Sequence, residues 1–185
     1  MKKLVTILLT AILVINSTAL VILADDASAT TMRLVKAEGN VKITNQTEKT
    51  LPSKNGSKLY NGYNVSTSSA SYAHISLDSK KAIKLDQNSK AGIKKNGKKL
   101  EIFLNSGKIF FNVTSPLEAD ESLELRTSSM VTGIRGTAGT FILVNNRISQ
   151  LQLYNGHAYV MGFNRKTGQM QEYHIRAGQI ATFTT

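Results

Sequence analysis

Leu100-Glu101-Ile102-Phe103-Leu104-Asn105-Ser106-Gly107-Lys108-Ile109-Phe110-Phe111-Asn112-Val113 is the stretch that decides the fold class. Leu100, Ile102 and Leu104 keep one phase of a period-two pattern, and Ile109, Phe111 and Val113 repeat it. Alternate side chains of an extended chain point to opposite faces, so each run describes a strand with one apolar side. Asn105-Ser106-Gly107 lies between the runs and reads as the turn joining them. The alternation recurs at Val41 and Ile43, at Ala73, Ile75 and Leu77, at Leu123 and Leu125, at Leu151 and Leu153, and at Ala158 and Val160. After Thr30 no segment long enough for a helix sustains an apolar face at helical spacing.

Glycine steps punctuate these strands at Gly39, Gly62, Gly107, Gly156 and Gly178, each followed within a few residues by a new apolar alternation. Such glycines supply the positive φ that short turns demand. Their spacing is uneven, which does not meet the fixed period of a regular solenoid. The expectation is an all-β single domain of many short strands, either a sandwich or an irregular, solenoid-like β-coil. Residues 44–58 are polar and read as an exposed connection within it.

The N-terminus is of another kind. Lys2 and Lys3 precede an apolar run from Leu4 to Ala24. That is about 21 residues, and roughly 20 suffice to span a bilayer core. Ala27, Ser28 and Ala29 form a small-x-small cleavage pattern, with Thr30 as first mature residue. Residues 1–29 therefore read as a signal peptide or an uncleaved signal anchor helix, and residues 30–185 as the β domain. Lys2 and Lys3 remain on the cytoplasmic side in either case. The domain is expected to be extracytoplasmic, secreted or held at the membrane through residues 4–24.

Cysteine is absent, which excludes disulfides, thiolate metal sites and cysteine nucleophiles. The formal net charge is +11, and it survives removal of residues 1–29 because two lysines and two aspartates leave together. Such a charge favours anionic surroundings such as lipid headgroups, wall polymers or acidic polysaccharide. Export makes nucleic acid an unexpected partner. Between Ser79 and Lys99 stand eight lysines, Lys80, Lys81, Lys84, Lys90, Lys94, Lys95, Lys98 and Lys99, against the single acid Asp86. The phases of Ile83 with Leu85 and of Ala91 with Ile93 suggest a pair of strands with a lysine-coated outer side. Its bland reading is a charged face that discourages edge pairing, and its sharper reading is a dock for an anionic envelope polymer.

No catalytic constellation emerges. His74, His157 and His174 lie far apart without metal-ligand spacing, and no metal or cofactor is expected. Glu118, Asp120, Glu121 and Glu124 read as a solvated loop before a general acid/base pair, with calcium the sharper alternative because oxygen ligands suffice.

The most distinctive string is Met130-Val131-Thr132-Gly133-Ile134-Arg135-Gly136-Thr137-Ala138-Gly139-Thr140-Phe141. It is not a phosphate loop, since no Gly-Lys-Ser/Thr ending and no helix follow. Arg135 reads either as an arginine tying turns together through carbonyls or a carboxylate such as Glu124 or Asp120, or as one presented to an anionic ligand.

The block Ile134-Arg135-Gly136-Thr137 with Gly139 and Phe141 resembles the signature of the FecR-like domain family. Asn61-Gly62 through Ser66-Thr67, the alternating segment Ser69 to Asp78, Ser106 to Val113, Leu125-Arg126-Thr127, Tyr154 to Val160 and Arg176-Ala177-Gly178-Gln179 follow in the family's order. The resemblance covers about residues 36–183 and makes Gly133, Arg135, Gly136, Thr137 and Gly139 its structural motif. Two departures stand out: Ser79-Lys80 where the family has a glycine after the aspartate, and Ser128-Ser129 where it often has a proline. The resemblance implies an extracytoplasmic bacterial β domain that binds or senses without catalysis. Better-known members add a cytoplasmic anti-sigma segment, which is not expected here because only Met1 to Lys3 precede the apolar run. The expected partner is another envelope protein, or an anionic envelope polymer held by the lysines in a structural role; Arg135 and the eight lysines are the candidate contacts.

Overall fold

The computed structural model describes residues 32–164 and 167–184. The signal or anchor helix expected over residues 1–29 lies outside them. Every regular element among the described residues is a strand, and no helix there is long and apolar enough to cross a membrane. In chain order the strands are β1 (Arg33–Glu38), β2 (Val41–Thr44), β3 (Thr50–Leu51), β4 (Asn64–Thr67) and β5 (Tyr72–Ser76). Then come β6 (Lys81–Leu85), β7 (Lys90–Asn96), β8 (Lys99–Val113), β9 (Ser122–Arg126) and β10 (Met130–Ile134). The last are β11 (Ala138–Asn145), β12 (Ile148–Asn155), β13 (His157–Asn164), β14 (Gln169–Arg176) and β15 (Ile180–Thr184).

The strands build two sheets. Sheet A runs β1-β5-β6-β8-β11-β12-β15. Sheet B runs β3-β2-β4-β7-β8-β9-β10-β13-β14. Apart from β3, both sheets add strands in the order of the chain. The path alternates: a hairpin in one sheet, a corner, then a hairpin in the other. The fold is thus a sandwich wound as an irregular coil, so the two expected descriptions are one architecture.

β8 belongs to both sheets, and it corrects the expected hairpin. Lys99 to Ser106 pairs with β7 in sheet B, whereas Gly107 to Asn112 pairs with β11 in sheet A. Asn105-Ser106-Gly107 does not reverse the chain. It is a corner at which one strand changes sheet, with Gly107 at φ 82° and the buried phase moving from Leu104 to Ile109. A Cβ on Gly107 would collide with the Ser89 hydroxyl and stand 2.8 Å from the Asn88 carbonyl. Ser89 Oγ instead accepts the Lys108 N–H at 2.9 Å, fastening the bend to the corner before β7. Gly39 meets Ser71 in the same way, and Ser71 Oγ accepts the Asn40 N–H at 2.8 Å.

Inside, alternate residues of the two sheets form one apolar cluster, with Leu34, Leu85 and Phe141 from sheet A and Val65, Ile102 and Val160 from sheet B all solvent-free. Full burial of such side chains contributes about 1.5–3 kcal/mol each before entropy is counted. β8 and β9 are parallel, with Leu100 opposite Leu123 and Ile102 opposite Leu125. A parallel neighbour needs a crossover, and here the chain runs through the sheet A half of β8 and returns through residues 114–121. Residues 44–58 are an exposed connection in the main, but carry β3, which pairs with β2.

Candidate functional site

The lysine segment does not form one face. β6 lies in sheet A and β7 in sheet B, so these strands are not the expected pair. The corner at residues 86–89 separates them, and alternation along a strand cannot report such a change of sheet. Lys81 is not outward at all: its side chain is 1% exposed, with Nζ 2.7 Å from Asp78 Oδ2 and 3.6 Å from Glu121 Oε1. Lys80 reaches Glu118 and Glu121, both at 3.2 Å. Lys98 reaches Asp120 at 2.9 Å and Glu118 at 3.7 Å. Lys94 pairs with Glu101 at 3.3 Å, and Lys84 lies over the Tyr72 ring at 4.5 Å. Lys90 and Lys99 are exposed, and Lys95 is half-buried.

The acidic loop is thereby explained. Glu118, Asp120 and Glu121 belong to the crossover between β8 and β9, and their carboxylates hold it against the lysines beside β6 and β8. The Glu118 N–H bonded to it, aided by Lys80, keeps the Glu121 carboxyl below its ordinary range, against the effect of burial. The Lys98 hydrogen bond does the same for Asp120, and Lys80 is raised by Glu121 and then Glu118. Among the described residues no group of three His, Asp or Glu side chains is placed to hold a metal ion.

Both departures from the family pattern have a local chemistry. Asp78 Oδ1 accepts the N–H groups of Lys80 and Lys81 at 2.8 Å each, so the carboxylate closes the turn before β6 without glycine. At the other, the Ser149 hydroxyl sits 2.7 Å from that of Thr127 and 2.6 Å from that of Ser129, a buried hydroxyl cluster bracing the β9–β10 hairpin to sheet A.

The glycine-rich motif forms the corner from β10 to β11. Gly136 has φ 86°, and a Cβ there would stand 3.0 Å from Pro116 Cα in the crossover. Thr137 donates its hydroxyl hydrogen bond to the Asn155 carbonyl, and its own carbonyl accepts the Val113 N–H at 3.0 Å. Gly139 is pressed against the Gln152 carbonyl and Phe111. Arg135 is exposed and, among the described residues, forms no hydrogen bond or ion pair. Glu124 lies 3.9 Å from Arg126 and Asp120 turns to Lys98, so neither ties Arg135 down.

Two surfaces went unread in the sequence. On the outer face of sheet A a groove of about 310 Å³ is lined by Val35, His74, Ala82, Lys84, Phe110 and Asn112 among others. His74 there is 2.9 Å from Glu38. On the outer face of sheet B the Tyr159 ring meets His157 and His174 edge-on, at centroid distances of 5.9 and 4.7 Å. The available signal was an aromatic in the outward phase, Phe110 beside buried Phe111 and Tyr159 beside buried Ala158. Only the strand pairing brings these residues together.

A family model described as FecR protein matches residues 63–159. No curated protein matches the chain. Among solved structures, two of a "putative anti-sigma factor" from Parabacteroides distasonis ATCC 8503, at 1.65 and 2.50 Å resolution, share the fold. Each aligns with a TM-score of 0.54 at 10% identity, over 65% of this chain and 54% of that one. The chain thus spans about half the length of that protein, and at this identity the likeness is one of fold.

Proposed function

From the premise that the chain belongs to the FecR protein family, we propose that it is a binding and sensing module of the bacterial envelope, working outside the membrane by contact with another protein and without catalysis. The family match over residues 63–159 carries this reading. The anti-sigma description belongs to the Parabacteroides protein; what is extended to this chain is sensing through protein contact. The apolar run Leu4 to Ala24 supports an extracytoplasmic placement.

The disposition of charge favours a protein over a wall polymer as partner. Lys80, Lys81, Lys94 and Lys98 are engaged by the molecule's own carboxylates, and the lysines of β6 and β7 divide between two sheets. A polymer dock needs free cations in one field. The polymer reading keeps exposed Lys90 and Lys99.

The purified chain incubated with isolated envelopes tests this. Binding abolished by prior protease treatment of the envelopes is the expected result. Binding that survives protease and fades over a few hundred millimolar salt, as exposed-charge attraction does, overturns the protein-partner reading in favour of the polymer.

A further inference from the structure

Of the 13 glycines in the chain, Gly133 is the one for which the fold supplies no reason. Nine have a positive φ. Gly92 faces Asn64 Oδ1 at 3.0 Å, Gly139 the Gln152 carbonyl, and Gly162 the Phe183 ring. A Cβ on Gly133 would meet only the Tyr159 carbonyl oxygen, at an ordinary 4.0 Å, and its φ is not positive. Glycine within a strand weakens it and often marks a place where another group approaches the backbone.

Burial alternates along β10, with Met130, Thr132 and Ile134 inside, so Gly133 faces out. Its sheet neighbours are Glu124 on β9 and Tyr159 on β13. The missing side chain leaves a notch between them. Arg135 is the next position on that side. The paired register ends with Ile134 opposite Ala158, and a Cβ on Gly156 would stand 2.8 Å from the Gly136 carbonyl oxygen, which keeps the bend at Arg135 alongside His157. Beyond His157 in the same row is Arg176. Arg135 and Arg176 are exposed and form no ion pair among the described residues, while Glu124 is drawn towards Arg126.

We propose that this notch receives an acidic side chain of the partner protein, its carbons over Gly133 against Tyr159 and its carboxylate on the Arg135 guanidinium. The proposal rests on the protein-partner reading above. Guanidinium and carboxylate match as planar, charge-assisted hydrogen-bonding groups. The opening is one side chain wide.

Titrating the purified chain with hexaglutamate while recording backbone amide NMR spectra tests it. The expected shifts centre on Gly133, Arg135, His157 and Tyr159, and hexaglutamine causes none. Gly133→Val, whose folding the same spectra verify, and Arg135→Gln each weaken binding about fivefold, the worth of an exposed ion pair. Glu124→Gln strengthens it by removing a like charge. Shifts centred on Lys90 and Lys99, binding untouched by Gly133→Val, or equal occupancy by a glycerol-phosphate oligomer overturns the proposal. A protease-resistant envelope interaction alongside intact hexaglutamate binding would overturn the assignment to a protein partner while leaving the carboxylate contact standing, so the two failures are distinct.

Discussion

Replacing Lys81 with methionine should cost about 3 kcal/mol of folding stability. The side chain is 1% exposed and its ammonium bridges Asp78 at 2.7 Å and Glu121 at 3.6 Å. Methionine keeps the apolar stem but leaves two carboxylates in a site that is itself 13% and 12% exposed. Removing one member of a buried ion pair costs about 3–5 kcal/mol, most of it the penalty of the stranded charge. The lower end applies, because Glu121 retains Lys80 at 3.2 Å and both acids touch solvent. For a domain of this size the melting temperature should fall by about 6–12 °C. Urea denaturation of the purified chain measures the loss as a shift of midpoint at unchanged slope. Adding Asp78→Asn should recover at least about 1 kcal/mol, since the amide oxygen still accepts the Lys80 and Lys81 N–H groups and the stranded charge is gone. A single-mutant loss below about 1 kcal/mol, or a double mutant whose losses simply add, would refute the claim that charge pairing, and not space filling, fixes Lys81.

Gly107→Ala should destabilise by about 2 kcal/mol or more, combining the left-handed backbone cost with the collision on Ser89 and Asn88; the urea midpoint reports it. Gly133→Ala should be neutral or stabilising by up to about 1 kcal/mol, since its site has room and ordinary φ, and the same assay would expose any hidden packing demand. The crossover should loosen in acid. Glu121 and Asp120 have folded pKa values below their ordinary ones, so their contribution is present above about pH 4 and is lost as pH falls through the depressed values. Protection factors of the amides at residues 118–122, taken against the intrinsic exchange rate at each pH, should fall below about pH 4 ahead of global unfolding, whereas a fall near neutrality would contradict the assignment.

Strand character was legible at nearly every alternating run, because burial of one sheet face imposes period two whatever the topology. Sheet membership was not. A glycine that reverses a hairpin and one that carries a strand round a corner look alike in sequence, and Gly107 is the second kind because Ser89, 18 residues earlier in the chain, anchors it. The same blindness joined β6 and β7 into one lysine face. A count of lysines also cannot show that Glu118, Asp120 and Glu121, some 20 to 40 residues on, return to neutralise three of them. The motif around Arg135 was legible as special, but its glycines act differently: Gly136 and Gly139 admit neighbouring backbone or ring atoms, whereas Gly133 is open to solvent.

Laying strands down in chain order gives the coil a growing direction. A newly made hairpin of either sheet can dock on one already in place, so folding can follow synthesis by accretion, with little threading. The parallel step between β8 and β9 is where that process must wait, because β9 finds its neighbour only after the crossover has returned. The same arithmetic allows length to change in evolution: one more hairpin in sheet A and one in sheet B, inserted together at a corner, would lengthen the molecule while leaving every earlier pairing as it was.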